Sequence, residues 1–298
     1  MKRKLCIVTF LWMNLAAQST LGLVSAADYS SPVAAGSIVS LFADNIATGT
    51  FLAVNPPPAP LPLTLGGVHV DAKDATGNAF SVPLLAVTSN QANAVLPAGM
   101  AAGTATFTIT TGSGNRIGGD ALVVAVAPSV FTADQSGRWL PAAQVIIAHA
   151  NGSQTVIASV AVCGSTLAWN GFTWSKCVPS PINLGSASDT VVLELFGTGI
   201  RGSASLLSAC PNCGYDAVDV AVGPLGSQCC HYLPVLYAGP QGNGAPGSFY
   251  GLDQVNVVLP HDLSGSGLLP LTIVALSGFA GKGVGMGSDS NTVYVYIQ

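Results

Sequence analysis

Charge is scarce in this 298-residue chain: charged side chains are 7% of it, and its single glutamate is Glu194. Sparse charge with an acidic balance excludes the basic stripe that neutralises nucleic-acid phosphates or an anionic membrane surface. Helix signals are missing as well, because no stretch beyond the N-terminal segment joins a 3.6-residue apolar period to caps. Catalytic signatures are missing too. There is no G-x-S-x-G and no H-E-x-x-H, and His69, His149, His231 and His261 are dispersed, none of them near a Ser or Cys that also has an evident acidic orienter. Distant residues can still converge in a fold. The expectation is a protein that is not an enzyme and carries no cofactor.

What the chain has in quantity is turns: 35 glycines and 19 prolines punctuate Val/Leu/Ile/Thr runs. That profile suits short strands whose surface is covered by Ser, Thr, Asn and Gly. One seven-residue phrase occurs twice. Gln91-Ala92-Asn93-Ala94-Val95-Leu96-Pro97 returns 163 positions later as Gln254-Val255-Asn256-Val257-Val258-Leu259-Pro260, with five of the seven residues identical. Asn and Gln are poor strand formers, so their alternation in an apolar strand ended by Pro points to a structural task. The period of two puts Gln254, Asn256 and Val258 on one face and Val255, Val257 and Leu259 on the other. The expectation is an apolar face in the core and amides bonded to neighbouring loop backbone.

Strand-like runs follow in the same order around both phrases. The first copy reads Ile38 to Phe42, Val68 to Asp71, Leu84 to Val87, the phrase, Thr104 to Thr110 and Leu122 to Val126. The second reads Thr190 to Ile200, Val218 to Val222, Leu233 to Tyr237, the phrase, Leu269 to Leu276 and Thr292 to Ile297. One module used twice is the economical reading. Residues 128–189 have no counterpart in the first copy and read as a bridging insertion.

The N-terminus has the organisation of a secretory signal: Lys2, Arg3 and Lys4, an apolar run from Leu5 to about Ala17, then small residues around Val24-Ser25-Ala26-Ala27. Cleavage is expected near Ala26 or Ala27. The apolar run is shorter than the roughly 20 residues of a membrane span, so no span is expected after cleavage. Removing residues 1–27 leaves six basic residues against thirteen acidic ones, a net charge of −7.

Six cysteines lie beyond the signal: Cys163, Cys177, Cys210, Cys213, Cys229 and Cys230. An even count in an exported protein reads first as disulfides. In the bridge, Leu167-Ala168-Trp169-Asn170-Gly171-Phe172-Thr173-Trp174 carries the Asn-Gly signal of a type I′ hairpin. Pairing about that turn sets Trp169 opposite Phe172 and Leu167 opposite Trp174, and leaves Cys163 and Cys177 one residue short of direct opposition. They are nevertheless expected to bond, across a bulge or a loosened strand end. Cys210-Pro211-Asn212-Cys213 with Cys229-Cys230-His231 has zinc-knuckle spacing. Two disulfides linking the 210/213 pair to the 229/230 pair are the simpler outcome in an oxidising compartment, so no metal is expected. Trp169, Phe172 and Trp174 offer an aromatic platform of the kind that stacks on sugar rings, against the plainer alternative of burial between modules. The stretch Asp71 to Asn78 has oxygen ligands on a turn but not the spacing of an EF-hand, and reads as a solvated hairpin tip. Asp253 reads as a turn cap. Gly242 to Gly247 fits G-x-G-x-x-G without the strand and helix that a dinucleotide site needs, and reads as a loop.

Several phrases taken together resemble a known family. They are Ala35-Gly36-Ser37-Ile38-Val39-Ser40-Leu41-Phe42, Leu61-Pro62-Leu63-Thr64-Leu65-Gly66-Gly67-Val68, the Gln-x-Asn-x-x-x-Pro strand, Ala127-Pro128-Ser129-Val130-Phe131, Phe196-Gly197-Thr198-Gly199, Tyr237-Ala238-Gly239 and Gly251-Leu252-Asp253-Gln254-Val255-Asn256. The chain from about residue 31 onward resembles the uncharacterised C-terminal domain family of large exported acidobacterial-type proteins, with modules similar to immunoglobulin-like IPT/TIG folds. The resemblance implies a bacterial, exported β-sandwich protein of unknown biochemical role. Two departures stand out: Asp44-Asn45 occupies the place of Thr198-Gly199, and segment 210–230 lies outside the pattern.

The expected map is therefore all-β: a signal at 1–27, an immunoglobulin-like sandwich at 28–127, a bridging β-hairpin segment at 128–189, and a second sandwich with a cysteine-rich hairpin at 190–298. The expected role is a secreted or cell-surface interaction and structural module, with the periplasm as another reachable compartment. Its expected partner is a protein or glycan at the cell exterior, and open sheet edges leave self-association available. The alternative is carbohydrate binding or adhesion through the bridge aromatics, and an enzyme of unrecognised type is the outside option.

Overall fold

A computed structural model describes residues 20–54, 60–164, 167–169, 172–174, 177–204, 217–223, 231–244, 248–280 and 284–298. Strands make up 53% of it against 3% helix, which establishes the all-β class.

The first sandwich is two facing sheets. One runs in the order Gly22–Ser25, Ile38–Phe42, Gln91–Val95, Leu84–Val87, Phe51–Leu52. The other runs Val33–Ala34, Arg116–Val124, Gly103–Thr110, Val68–Lys73, Thr64–Leu65, with Ala79–Ser81 also on Val68–Lys73. Each strand contributes alternate side chains to one core, including Val39, Leu41, Ala92 and Ala94 from the first sheet and Val68, Val70, Phe107 and Ile109 from the second. A fully buried side chain such as Phe107 contributes about 2–3 kcal/mol by leaving water.

The second sandwich repeats the plan. Its first sheet runs Gln154–Ile157, Ala143–Ala148, Thr190–Thr198, Asp253–Val258, Val235–Pro240, with Ser129–Val130 also on Thr190–Thr198. Its second runs His231–Leu233, Val218–Val222, Gly267–Ala280, Val284–Asp289, with Val293–Ile297 pairing the start of the long Gly267–Ala280 strand. Val145, Leu193, Leu195, Val255 and Val257 meet Val220, Ile273, Val293 and Val295 in its core.

The repeated phrase occupies the same place in both sandwiches, beside the strand that opens the copy and ahead of the loop ended by its proline. Ala92 and Ala94 are buried while Gln91 and Asn93 are half-buried. Val255 and Val257 are buried while Gln254 and Asn256 are half-buried. The two-residue period therefore sorts the faces as expected.

Two boundaries differ from the expected map. Gly22–Ser25, inside the stretch assigned to the signal, pairs with Ile38–Phe42, setting Leu23 opposite Leu41. Leu21 and Leu23 belong to the core, and the Leu21 N–H reaches the Gly118 carbonyl of the facing sheet at 3.2 Å. The first sandwich thus begins near residue 21, and a cut at Ala26 or Ala27 would remove one of its strands. A short apolar strand and the small-residue tail of a signal have the same composition, so local pattern does not separate them.

The second boundary is the bridge. Residues 128–189 are not an insertion between the sandwiches, because Ser129–Val130, Ala143–Ala148 and Gln154–Ile157 all pair within the second sandwich. Ala143–Ala148 stands on Thr190–Thr198 as Gly22–Ser25 stands on Ile38–Phe42. Both copies therefore own this strand, and in the first its composition is indistinguishable from a signal tail. Among the described residues, Ala161–Cys163 with Cys177–Pro179, and Leu167–Trp169 with Phe172–Trp174, form separate two-stranded ladders.

The hairpin pairs Trp169 with Phe172 and Leu167 with Trp174, as the Asn-Gly signal requires. The outer ladder is shifted from it by one residue, so Cys163 lies directly opposite Cys177 and not one residue out. The pair forms the expected disulfide, with Cα atoms 4.0 Å apart. Cys177 is buried beside Leu140 and Ala161, tying the ladder to the body of the second sandwich.

Removal of residues 20–27 strips two buried leucines from the first core, worth about 1.5–3 kcal/mol each. A chain starting at Asp28 is expected to unfold at lower denaturant concentration than one starting at Thr20, with the loss confined to the first sandwich, as read by hydrogen exchange.

Candidate functional site

The two sandwiches meet at the corner that follows Thr190–Thr198. Thr198 is buried, and its hydroxyl works in both directions: it accepts the Ile38 N–H of the first sandwich at 2.8 Å and donates to the Gly251 carbonyl at 2.8 Å. A hydroxyl is a donor and an acceptor at one atom, so a single side chain satisfies both backbone groups. Gly199 follows at φ +77°, close enough to the Ala127 carbonyl that a Cβ would lie 2.1 Å from its oxygen. Gly251, at φ +75°, would place a Cβ 2.7 Å from Ile38. Close packing, against backbone at Gly199 and against the Ile38 and Val95 side chains at Gly251, requires glycine at both positions. In the first copy Asn45 takes the corresponding left-handed conformation at φ 57°, which asparagine tolerates, so the departure at Asp44-Asn45 keeps the turn.

Asp253 caps this corner as expected. Its buried carboxylate accepts the N–H of Ile200 at 2.7 Å and of Arg201 at 3.3 Å, and pairs with Arg201 Nε at 2.7 Å. Burial pushes its carboxyl above the ordinary carboxylate value, and the Arg201 charge and the Ile200 N–H pull against that. Arg201 also donates to the Leu252 carbonyl at 2.9 Å.

Holding the sandwiches together leaves a cleft of about 650 Å³ beside the junction. One wall is the outer face of the first sandwich, with Ser40, Gln91, Asn93, Leu85 and Ala86, and the other brings Phe131, Thr132, Gln135, Phe249 and Leu252. Ala26, Ala27 and Tyr29 line it as well, and the Tyr29 hydroxyl donates to the Gln135 carbonyl at 3.3 Å. The amides of the repeated phrase do not bond to loop backbone as expected. Gln91 Nε2 donates to Asn93 Oδ1 at 2.7 Å and to Ser40 Oγ at 3.3 Å, and Ser40 Oγ donates to Asn93 Oδ1 at 3.0 Å. They form a row across the sheet face because Ser40 stands directly opposite Asn93. In the second copy Glu194 takes the position of Ser40 opposite Asn256, Gln254 donates to Asn256 at 2.8 Å, and Gln144 donates to Glu194 at 2.5 Å.

Other expected sites resolve differently. Cys210, Cys213, Cys229 and Cys230 lie outside the described residues, as do the side chains of Trp169, Phe172 and Trp174. The Gly242 to Gly247 loop is described only as far as Gly244, in a short 3₁₀ turn. Among the described residues no cluster of His, Cys, Asp and Glu is arranged to hold a metal ion. The Asp71 to Asn78 tip is not simply solvated, for Asp74 is buried. Asp74 Oδ1 accepts the N–H groups of Thr76 and Asn78 and the Thr76 hydroxyl at 2.8–2.9 Å, and Oδ2 accepts the Ala101 N–H at 3.0 Å. These donors hold its carboxyl at about 2, the Ala101 N–H most strongly, while burial opposes them.

One constellation was missed. His149 Nδ1 lies 3.3 Å from Asp189 Oδ1, and its Nε2 lies 2.9 Å from Thr155 Oγ1. The signal was the pairing of Ala148 with Thr190, which makes His149 and Asp189 neighbours at the strand ends. Hydroxyl, imidazole and carboxylate stand in the order used for nucleophilic catalysis. Here, however, Thr155 sits among exposed Gln154 and Val156 on an edge strand, open to water. Asp189 caps its own turn through the Ser186 N–H at 3.0 Å, and its carboxyl is lowered chiefly by that bond. The trio pins loops at the end of the sheet.

No protein-family model matches the chain, and no curated protein matches it. Among solved structures, a tetra-tandem repeat in the extending region of a large adhesion protein is similar at 12% identity, covering 94% of this chain and 74% of that one with a TM-score of 0.22.

Thr198→Val keeps the volume and removes the hydroxyl, leaving the Ile38 N–H and the Gly251 carbonyl unpaired at about 1–3 kcal/mol each. The expected outcome is a lower melting temperature and two resolved calorimetric transitions in place of one, as the sandwiches uncouple. Asp74 gives a pH signature. A carboxyl held at about 2 against an ordinary 3.8 stabilises the fold fully above the ordinary value and loses that contribution as pH falls toward 2. Denaturant titrations should therefore show Asp74→Asn less stable than wild type at pH 5, with the gap closing by pH 2.

Proposed function

We propose that the chain is a non-catalytic interaction and structural module working at the cell exterior, secreted or held at the surface of a bacterial cell. The observation that carries this reading is the junction. Thr198, Gly199, Gly251 and the Asp253–Arg201 pair join two sandwiches through buried hydrogen bonds and close backbone contact. Joined in this way, they act as one stiff unit, where a pair of independently tethered domains would move freely. A stiff unit with few charges presents fixed surfaces to a partner, with little ordering left to be done on binding. The Cys163–Cys177 disulfide supports an oxidising compartment, where such bonds persist. The resemblance of the motif set to exported C-terminal domain pairs supports the same placement, and the partner is a protein or glycan of the cell exterior.

The test is a thiol trap on growing cells of the native host, followed by fractionation. Alkylation before lysis should leave Cys163 and Cys177 unmodified until reductant is added. The protein should be recovered outside the cytoplasm, and in purified form should sediment with cell envelopes. Recovery from the cytosol with both thiols alkylated overturns the reading.

A further inference from the structure

The cleft between the sandwiches has chemistry of its own. Asn93 Oδ1 accepts two hydrogen bonds, from Gln91 Nε2 and Ser40 Oγ. Both N–H bonds of Asn93 Nδ2 are then left without a partner among the described residues, and so is the Gln91 Oε1 acceptor. The cleft thus offers a donor pair and an acceptor on a rigid sheet face. Aromatic groups line the same cleft, with Tyr29 packed on Phe42 beside the amide row. Phe249 is 42% exposed and Tyr29 44% exposed, and Phe131 is partly exposed beside them.

None of the residues lining the cleft is charged. Ionic ligands would enter without a counter-charge and would lose hydration, so a neutral ligand is favoured. Its polar groups must both accept and donate over a short distance, and a hydroxyl does both at one atom. Apolar faces must meet the rings. An extended peptide would instead seek the unpaired backbone of a sheet edge, whereas here the polar groups are side-chain amides on a sheet face. The volume of about 650 Å³ falls within the range of roughly 300–1,000 Å³ typical of ligand sites.

We infer that this cleft is a binding site for a neutral saccharide, with Asn93 and Gln91 hydrogen-bonding ring hydroxyls and Phe249 and Tyr29 stacking against the sugar face. The site deepens the reading of the chain as an exterior interaction module and rests on it. It differs from a platform at Trp169, Phe172 and Trp174, which belongs to the separate hairpin. The same phrase in the second copy, with Glu194 in place of Ser40, brings a carboxylate to the row and is not a second site of this kind.

The test uses the full-length purified protein in native affinity gels containing neutral polysaccharides: a β-glucan, a mannan, a galactan and a xylan. The oligosaccharide of whichever polymer retards it is then titrated by calorimetry. Retardation by at least one neutral polymer is expected. Phe249→Ala, at an exposed position, should weaken the titrated affinity about tenfold or more with the melting temperature unchanged, and Asn93→Asp should weaken it similarly by replacing the donor pair with a charge. A Trp169→Ala/Trp174→Ala double variant should bind as wild type. The proposal is overturned by no retardation in any neutral gel, by retardation that survives both cleft variants, or by loss of binding in the double tryptophan variant alone. Preferential retention by an anionic polysaccharide or by an unstructured peptide also overturns it. Failure of this kind leaves the exterior reading standing, because the thiol trap and envelope sedimentation decide that separately.

Discussion

One hydroxyl holds the molecule's two halves in register. Thr198 takes the Ile38 N–H from the first sandwich and gives its proton to Gly251 in the second, in a place that water does not reach. Neither backbone group has a strand partner there, so losing the hydroxyl would leave both buried and unsatisfied. Gly199 and Gly251 let the chains approach closely enough for that hydroxyl to span them, and Asp253 holds the corner at its proper curvature through Ile200 and Arg201. The cleft exists because this junction sets a second wall opposite the amide row.

Few charges mean that hydroxyls and amides carry most of the polar work. The charged exceptions stand where a turn must be pinned: Asp253 at the junction, Asp74 between the hairpin tip and the Ala101 loop, Asp189 at the turn before Thr190. In each case the carboxylate accepts backbone N–H groups, an arrangement that gathers several donors at one side chain and shapes a loop. The two copies of the amide row show how one scaffold position can diverge. Ser40 keeps the first row neutral, whereas in the second the buried Glu194 stands opposite Asn256 and accepts from Gln144.

Much of the scaffold is legible in the sequence alone. The period of two in Gln91 to Val95 and in Gln254 to Val258 sorted core from surface, and Asn170-Gly171 set the hairpin register of Trp169 and Phe172. Where reading failed, the reason was ambiguity of local pattern. Gly22–Ser25 is four small or apolar residues next to a signal-like segment, and nothing in their composition distinguishes a strand from a signal tail. Missing that strand hid the equivalence of Ala143–Ala148, so a segment of the second sandwich read as a bridge. Extending the hairpin register outward misplaces Cys163 and Cys177 by one, because the two short ladders are shifted by one residue relative to each other.

The sequence by itself determined the all-β class, the twofold use of one module, the faces of its strands and the pairing of Cys163 with Cys177, because each follows from local periodicity, turn chemistry or cysteine parity. Tertiary structure alone decided what the repeated amides touch, which carboxylates are buried, that His149 meets Asp189 and Thr155, and that a neutral cleft opens beside the junction. These depend on contacts between residues far apart in the chain. Ile38 and Thr198 are separated by 160 positions, and no local pattern records which distant strand end a backbone N–H will meet once two cores have closed.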